Sequence, residues 1–287
     1  MFNTCRIGKL ITIQLTPGGA ETLLTGHCPE LENIRPGIAS EFFMALLFFE
    51  FCAESLEAVC AAESGGANRI ELCSQLTLGG TTPPRELMAA CVRAVSIPIY
   101  ALIRPRAGDF VYSCQEYELM HRQIDDAKAS GASGVALGVL QADGRVDVMR
   151  TAALVEYAQP MGTTFHRAFD ETPDLSDALE QVIETGATSL LTSGGAPEVL
   201  LGAERIASLM QQADGRIQII AGGGLRLASL TELVRRSGTF SLHGSLMNSN
   251  GSRGTGVDAA RLEADIREAV RLLHSEYDQM QAQAERH

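Results

Sequence analysis

Lysine is almost missing: it occurs only at positions 9 and 128 of the 287 residues. Lys128 falls on a helix expected to lie on the outside, so a Schiff-base aldolase mechanism lacks its nucleophile. Cysteine pairs are missing too. The seven cysteines are Cys5, Cys28, Cys52, Cys60, Cys73, Cys91 and Cys114, and none makes a Cys-x-x-Cys pair. An odd number in a long chain excludes a secreted disulfide framework and points to free thiols in a reducing cytoplasm. Long apolar runs are absent. The longest, Phe42 to Phe49, falls far short of the ~20 residues a spanning helix needs. It also starts too far along the chain, and lacks the basic flank, for a usual signal peptide. Positive charge is scarce, and a net charge of -12 argues against nucleic acid and anionic membranes as partners. A small molecule or a metal ion is the expected ligand, with a homo-oligomer left open.

What is present is ordinary for a globular protein: 45% apolar and 20% charged residues. The length suits one large α/β barrel or two smaller domains. Residues 1–43 are rich in Gly, Pro and Thr and carry no sustained helical period. Ile11 to Leu15 reads as a short strand at most. This stretch is expected to lie outside the folded domain, poorly packed and dispensable, with Met44 as the native start.

From Met44 the pattern becomes regular. Short apolar runs alternate with amphipathic helices, which implies βα units and a parallel sheet. Strands are expected at 46–52, 69–73, 97–103, 134–138, 162–166, 188–192, 217–221 and 239–243. Ser55 should cap a helix whose inner face carries Leu56, Val59 and Cys60, and Gly65 should end it. Thr82-Pro83 reads as a helix start, a hydroxyl cap followed by a proline, and Asp174 as another cap. The last helix shows Leu262, Ile266, Val270 and Leu273 at helical spacing. Gly66-Ala67, Gly131-Ala132, Gly186-Ala187 and Gly238-Thr239 each separate a helix from an even-numbered strand. Each interval holds two βα units, and four such pairs close a (β/α)8 barrel over residues 44–287. An open doubly wound sheet is disfavoured, because no Gly-x-Gly-x-x-Gly turn follows the first strand.

In such a barrel the site lies at the carboxyl ends of the strands. Side chains alternate along a strand. If Leu47, Phe49 and Phe51 face the helices, Glu50 and Cys52 face the axis, as do Arg69, Glu71 and Cys73. Inward carboxylates need partners, and Arg69, Arg104 and Arg106 are at hand. Glu50, Glu71, Arg104 and His166 are expected to line one pocket. His166, oriented by Asp170 or an inward glutamate, is the leading proton-transfer candidate, with His243 second. Arg104, Arg106, Ser193, Gly223, Gly224 and Ser245 are candidates for binding an anion. The same charged residues would also suit a purely structural ion network. Cys52 and Cys73, on adjacent strands, suit a Cu(I) ion through soft thiolates, but the residues alone favour small buried core positions.

The strand ends also carry a family pattern. Arg69-Ile70-Glu71-Leu72-Cys73, Gly79-Gly80-Thr81-Thr82-Pro83, Ile103-Arg104-Pro105-Arg106 with Gly108-Asp109-Phe110, Thr164 to Asp170, and Leu191-Thr192-Ser193-Gly194 resemble the CutC family from about Met44 to about Ser245. The resemblance implies a cytoplasmic (β/α)8 barrel linked to copper homeostasis, with Cys52 and Cys73 where copper-binding cysteines have been proposed. It attaches no enzymatic reaction. The alternative function is an enzyme acting on a small anionic metabolite, with Arg104 and Arg106 holding the anion, His166 moving protons, and Glu50 or Glu71 as the partner acid or base. The first 43 residues and the polar loop from Asn248 to Gly256 have no counterpart in the pattern.

Overall fold

The structure is a computed structural model that describes residues 47–246 and 258–284. The expectations for residues 1–43 and for the loop 248–256 lie outside the described residues. Eight strands run in chain order: β1 (Phe48–Ala53), β2 (Arg69–Leu72), β3 (Ile99–Leu102), β4 (Gly134–Leu137), β5 (Gly162–Phe165), β6 (Ser189–Thr192), β7 (Gln218–Gly222) and β8 (Ser241–Gly244). Eight helices alternate with them: α1 (Leu56–Gly65), α2 (Arg85–Ala94), α3 (Cys114–Ser130), α4 (Val148–Ala158), α5 (Leu175–Glu184), α6 (Ala203–Ala213), α7 (Leu227–Ser237) and α8 (Ala259–Ala284). Every strand pairs in parallel with its neighbours, and β8 pairs with β1 to close the barrel. This is the (β/α)8 architecture expected from the alternation.

Strand parity decides what each layer contains. Phe49, Phe51, Ile70, Leu72, Val135, Leu137, Phe165 and Leu242 are buried in the shell between sheet and helices, with Val59, Met88, Met120, Ile124 and Leu154 from the helix side. Cys52, Cys73, Leu102 and Ala136 form a separate small cluster inside the barrel. At the amino end of the barrel, Tyr100 fills the space in front of β4 and β5. A Cβ at Gly162 would sit 2.0 Å from its hydroxyl, and one at Gly134 would sit 2.3 Å from its ring. A side chain in either strand would therefore have to displace the Tyr100 ring. The Arg69 guanidinium lies 3.9 Å from the Tyr100 ring centroid and 4.8 Å from that of Phe48, a stacked cation that floors the barrel.

Several local expectations are corrected. Gly65 does end α1, but not as the left-handed stop. It is the last helical residue, and a Cβ there would meet Ile266 of α8 at 2.8 Å, so it permits close helix packing. The left-handed stop is Gly66, whose φ is 92°; Gly131, Gly186 and Gly238 share that conformation, as the repeat implied. Cys60 is exposed, so it does not belong to the inner face of α1. Thr82 does not cap α2, which starts after Pro84. Its hydroxyl instead accepts from the Arg104 N–H at 2.8 Å, tying two loops of the mouth together. Ser55 and Asp174 do cap their helices. Strand β3 is shorter than expected because Pro98 has no N–H to pair; β8 starts late because the Thr239 hydroxyl accepts from the Ser241 N–H at 3.1 Å.

Candidate functional site at the carboxyl end of the barrel

Neighbouring registers build one wall. Glu50 stands opposite Arg69 in β2 and opposite His243 in β8, and Cys52 stands opposite Glu71. Because paired residues share a face, these side chains meet inside the barrel. The Glu50 carboxylate, 1% exposed, accepts from Arg69 Nε and from His243 Nδ1, the latter at 2.8 Å. Burial pushes Glu50 up, but the Arg69 charge and the His243 hydrogen bond outweigh it and hold the carboxyl at about 2. Arg69 also reaches across the barrel, donating to the Thr164 hydroxyl at 3.3 Å.

Above this ion pair stands a softer layer. His243 Nε2 lies 3.8 Å from Glu71 Oε2, and the Cys52 thiol lies 3.5 Å from the same oxygen. The Cys52 and Cys73 sulfurs are 3.6 Å apart. Ligand atoms of Cys52, Glu71 and His243 all fall within 4.8 Å of one another. Burial pulls His243 down, but the Glu71 and Glu50 carboxylates push back further and raise its pKa. Glu71 is raised, mainly by burial. The Cys52 thiol is pushed well up by its contact with Cys73 and by burial, so it is protonated at neutral pH.

The opposite wall is built differently. Arg104, at the end of β3, donates to the carbonyls of Leu78, Gly80 and Gly108 at 3.3, 2.9 and 2.7 Å. His166 caps a 3-10 turn over Arg167–Glu171, its Nδ1 accepting from the Ala168 N–H at 3.3 Å. That bond places the ring proton on Nε2. Burial and the nearby Arg104 charge lower His166 to about 3, so the imidazole is neutral. Asp170 accepts from the Thr192 hydroxyl at 2.5 Å, from the backbone of Ser193 and Gly195, and from Arg167. The two walls enclose a cavity of about 230 Å³. The carboxyl side of the barrel is therefore open to a ligand smaller than the drug-sized molecules that fill ~300–1,000 Å³ pockets.

A model of the CutC family matches residues 47–248. The chain belongs to the CutC family. Family protein CutC of Caulobacter vibrioides is 46% identical over 199 residues, 69% of this chain and 81% of that protein. The Vibrio cholerae family protein CutC is 45% identical over 196 residues, 68% of this chain and 77% of its own length. Among solved structures, a CutC from Streptococcus agalactiae, whose name ties it to copper homeostasis, aligns with a TM-score of 0.67 at 28% identity. The alignment covers 70% of this chain and all of that one. A KDPGal structure at 16% identity, with a TM-score of 0.55, shares the fold alone.

In this CutC barrel the expected site residues separate into groups. Glu71, Arg104, His166, Cys52, Cys73, Gly223, Gly224 and Ser245 line the cavity. Glu50 does not; it lies beneath the cavity and is hydrogen-bonded to His243. Arg106 turns away to Glu116 and Asp109, at 2.5 and 2.8 Å, because it starts the loop that carries α3. Ser193 is fully buried and bonds Ala196 O at 2.6 Å. Asp170 braces the loop after β6 and does not orient His166. Neither Arg104 nor Arg106 pairs with the inward carboxylates; Arg69 does. Among the residues missed are Leu76, Phe110 and Leu225, which join the lining along with Arg167 and His243. Phe110 sits inside a motif recognised in the sequence, but its contact with Arg104 and His166 depends on a loop that no periodicity reveals. The described residues contain no helix long and apolar enough to cross a membrane.

Proposed function

We propose that this CutC-family protein binds Cu(I) on the thiolates of Cys52 and Cys73 and takes part in copper homeostasis in a reducing cytoplasm. The observation that carries the reading is the 3.6 Å separation of two free, buried sulfurs at the mouth of the barrel. Two metal–sulfur bonds of ~2.3 Å across that gap would meet at roughly 100°. This bent arrangement leaves room for a third ligand, and His243 Nε2 and Glu71 Oε2 stand beside it. His243 is presented in the manner of metal-binding histidines, with its other nitrogen held by a carboxylate. Thiolate sulfur favours Cu(I) over hard cations. The family's copper naming, carried by the Streptococcus agalactiae neighbour, supports the same reading.

Binding on two thiolates releases one proton from Cys52, for which the Glu71 carboxylate at 3.5 Å is the nearest acceptor, and one from Cys73 to solvent at the mouth. Affinity therefore rises with pH. The test is a competition titration against a chromophoric Cu(I) chelator, anaerobic and reducing. One ion per chain is expected, lost in the Cys52→Ser/Cys73→Ser double variant. Unchanged stoichiometry in that variant, or a preference for Zn(II) over Cu(I), would refute the proposal.

A further inference from the structure

The wall facing the thiols holds a cation without an anion. Arg104 is only 7% exposed, yet among the described residues no carboxylate lies within ion-pair distance of it; its hydrogen-bond acceptors are three backbone carbonyls. Its Nε has no partner. Beside it is a second orphan. His166 is 4% exposed, and its Nε2, which carries the ring proton, has no acceptor. A buried donor left unmade costs ~1–3 kcal/mol, more when charged, so two such groups on one cavity wall mark a place for a ligand. One aromatic ring fixes both: Phe110 lies 4.7 Å from the Arg104 guanidinium and 4.9 Å from the His166 ring.

We infer that this wall is a seat for a small oxyanion, a carboxylate or phosphate group, held by the His166 Nε2–H and by the charge of Arg104. Arg167 guards the rim. Its guanidinium covers Gly223, where a Cβ would come within 2.9 Å, but Asp170 already balances its charge at 2.9 Å. Arg104 is therefore the cation that an incoming anion would neutralise. The cavity's small volume admits a compact metabolite. The seat uses none of the proposed copper ligands, so it stands or falls apart from the copper reading.

The experiment uses the full chain, reduced and free of copper. Inorganic phosphate and malonate are titrated in separate arms, followed by calorimetry and by the nitrogen-15 signal of His166 Nε2–H. Saturable binding by at least one probe is expected, with the His166 signal moving along the same isotherm. The tighter arm tells a phosphate ligand from a carboxylate. His166→Leu should weaken binding by about tenfold or more, the loss of a donor to a charged group. No binding in either arm, or saturable binding that leaves the His166 signal unmoved, would overturn the inference. The second readout needs no variant, so it holds even if His166→Leu fails to fold.

Discussion

His243 and His166 occupy strand ends on opposite sides of one cavity, yet their surroundings shift their pKa values in opposite directions. His243 stands in register with Glu50 and lies 3.8 Å from Glu71, and these two carboxylates raise its pKa. At His166 an amide occupies Nδ1, Arg104 repels the ring proton, and the pKa falls to about 3. The same residue type is pushed toward its charged form on one wall and held neutral on the other. The difference lies in the neighbouring groups, not in the residue, so the site divides into a wall of thiols and acids, where we propose copper, and a wall of donors, where we infer an anion.

The largest expected effect breaks the first wall from below. Arg69→Met leaves Glu50 buried without its main counter-charge, and should destabilise the protein by about 3–5 kcal/mol in chemical denaturation. Adding Glu50→Gln should restore much of that. A loss under about 1 kcal/mol would show that the ion pair does not set the charge state of this wall. Overfilling the same floor is next: Gly134→Ala drives a methyl into the Tyr100 ring and should cost about 1–3 kcal/mol, read from the same denaturation curves.

The two histidines predict different limbs of the pH–stability curve. The folded pKa of His166 is depressed from its usual 6.5 to about 3, so the unfolded chain gains its proton first. Stability is lost as pH falls from about 6.5, with a slope approaching about 1.4 kcal/mol per pH unit. Glu50, held at about 2 against an ordinary 4.5, adds its own loss only as pH falls below that ordinary value. Glu71, raised by burial, offsets part of the slope by taking up its proton in the fold. His243 acts on the other side: its stabilisation is complete below its unfolded value and is lost as pH rises through its raised one. His166→Gln should flatten the acid limb while leaving the alkaline limb in place. An unchanged acid limb would remove His166 as its source. The smallest effect belongs outside both walls. Arg106→Ala should cost no more than about 1 kcal/mol, as partly exposed ion pairs do, and leave copper and anion binding unaltered in the titrations above.

The sequence made the barrel legible because the βα alternation and the four helix-stop glycines are local signals. Parity along β1 and β2 also placed Glu50, Cys52, Glu71 and Cys73 on the inner face. What stayed hidden was register across strands. Glu50 meets His243 across 193 residues of chain, and nothing within either segment marks the pairing, so His243 ranked below His166. Arg104 and Arg106 looked equivalent in Arg104-Pro105-Arg106, but one enters the barrel and the other braces the loop before α3. That choice is made by Glu116 and by the carbonyls of the Leu76–Gly80 turn, which only the fold brings near.

The most direct test of the central claim, that the thiol wall is a Cu(I) site, is X-ray absorption at the copper edge of the reduced, Cu(I)-loaded protein. The account predicts two sulfur scatterers and one nitrogen or oxygen scatterer about copper, with the sulfur shell gone in the Cys52→Ser/Cys73→Ser variant. A first shell of nitrogen and oxygen alone in the wild-type protein would contradict it.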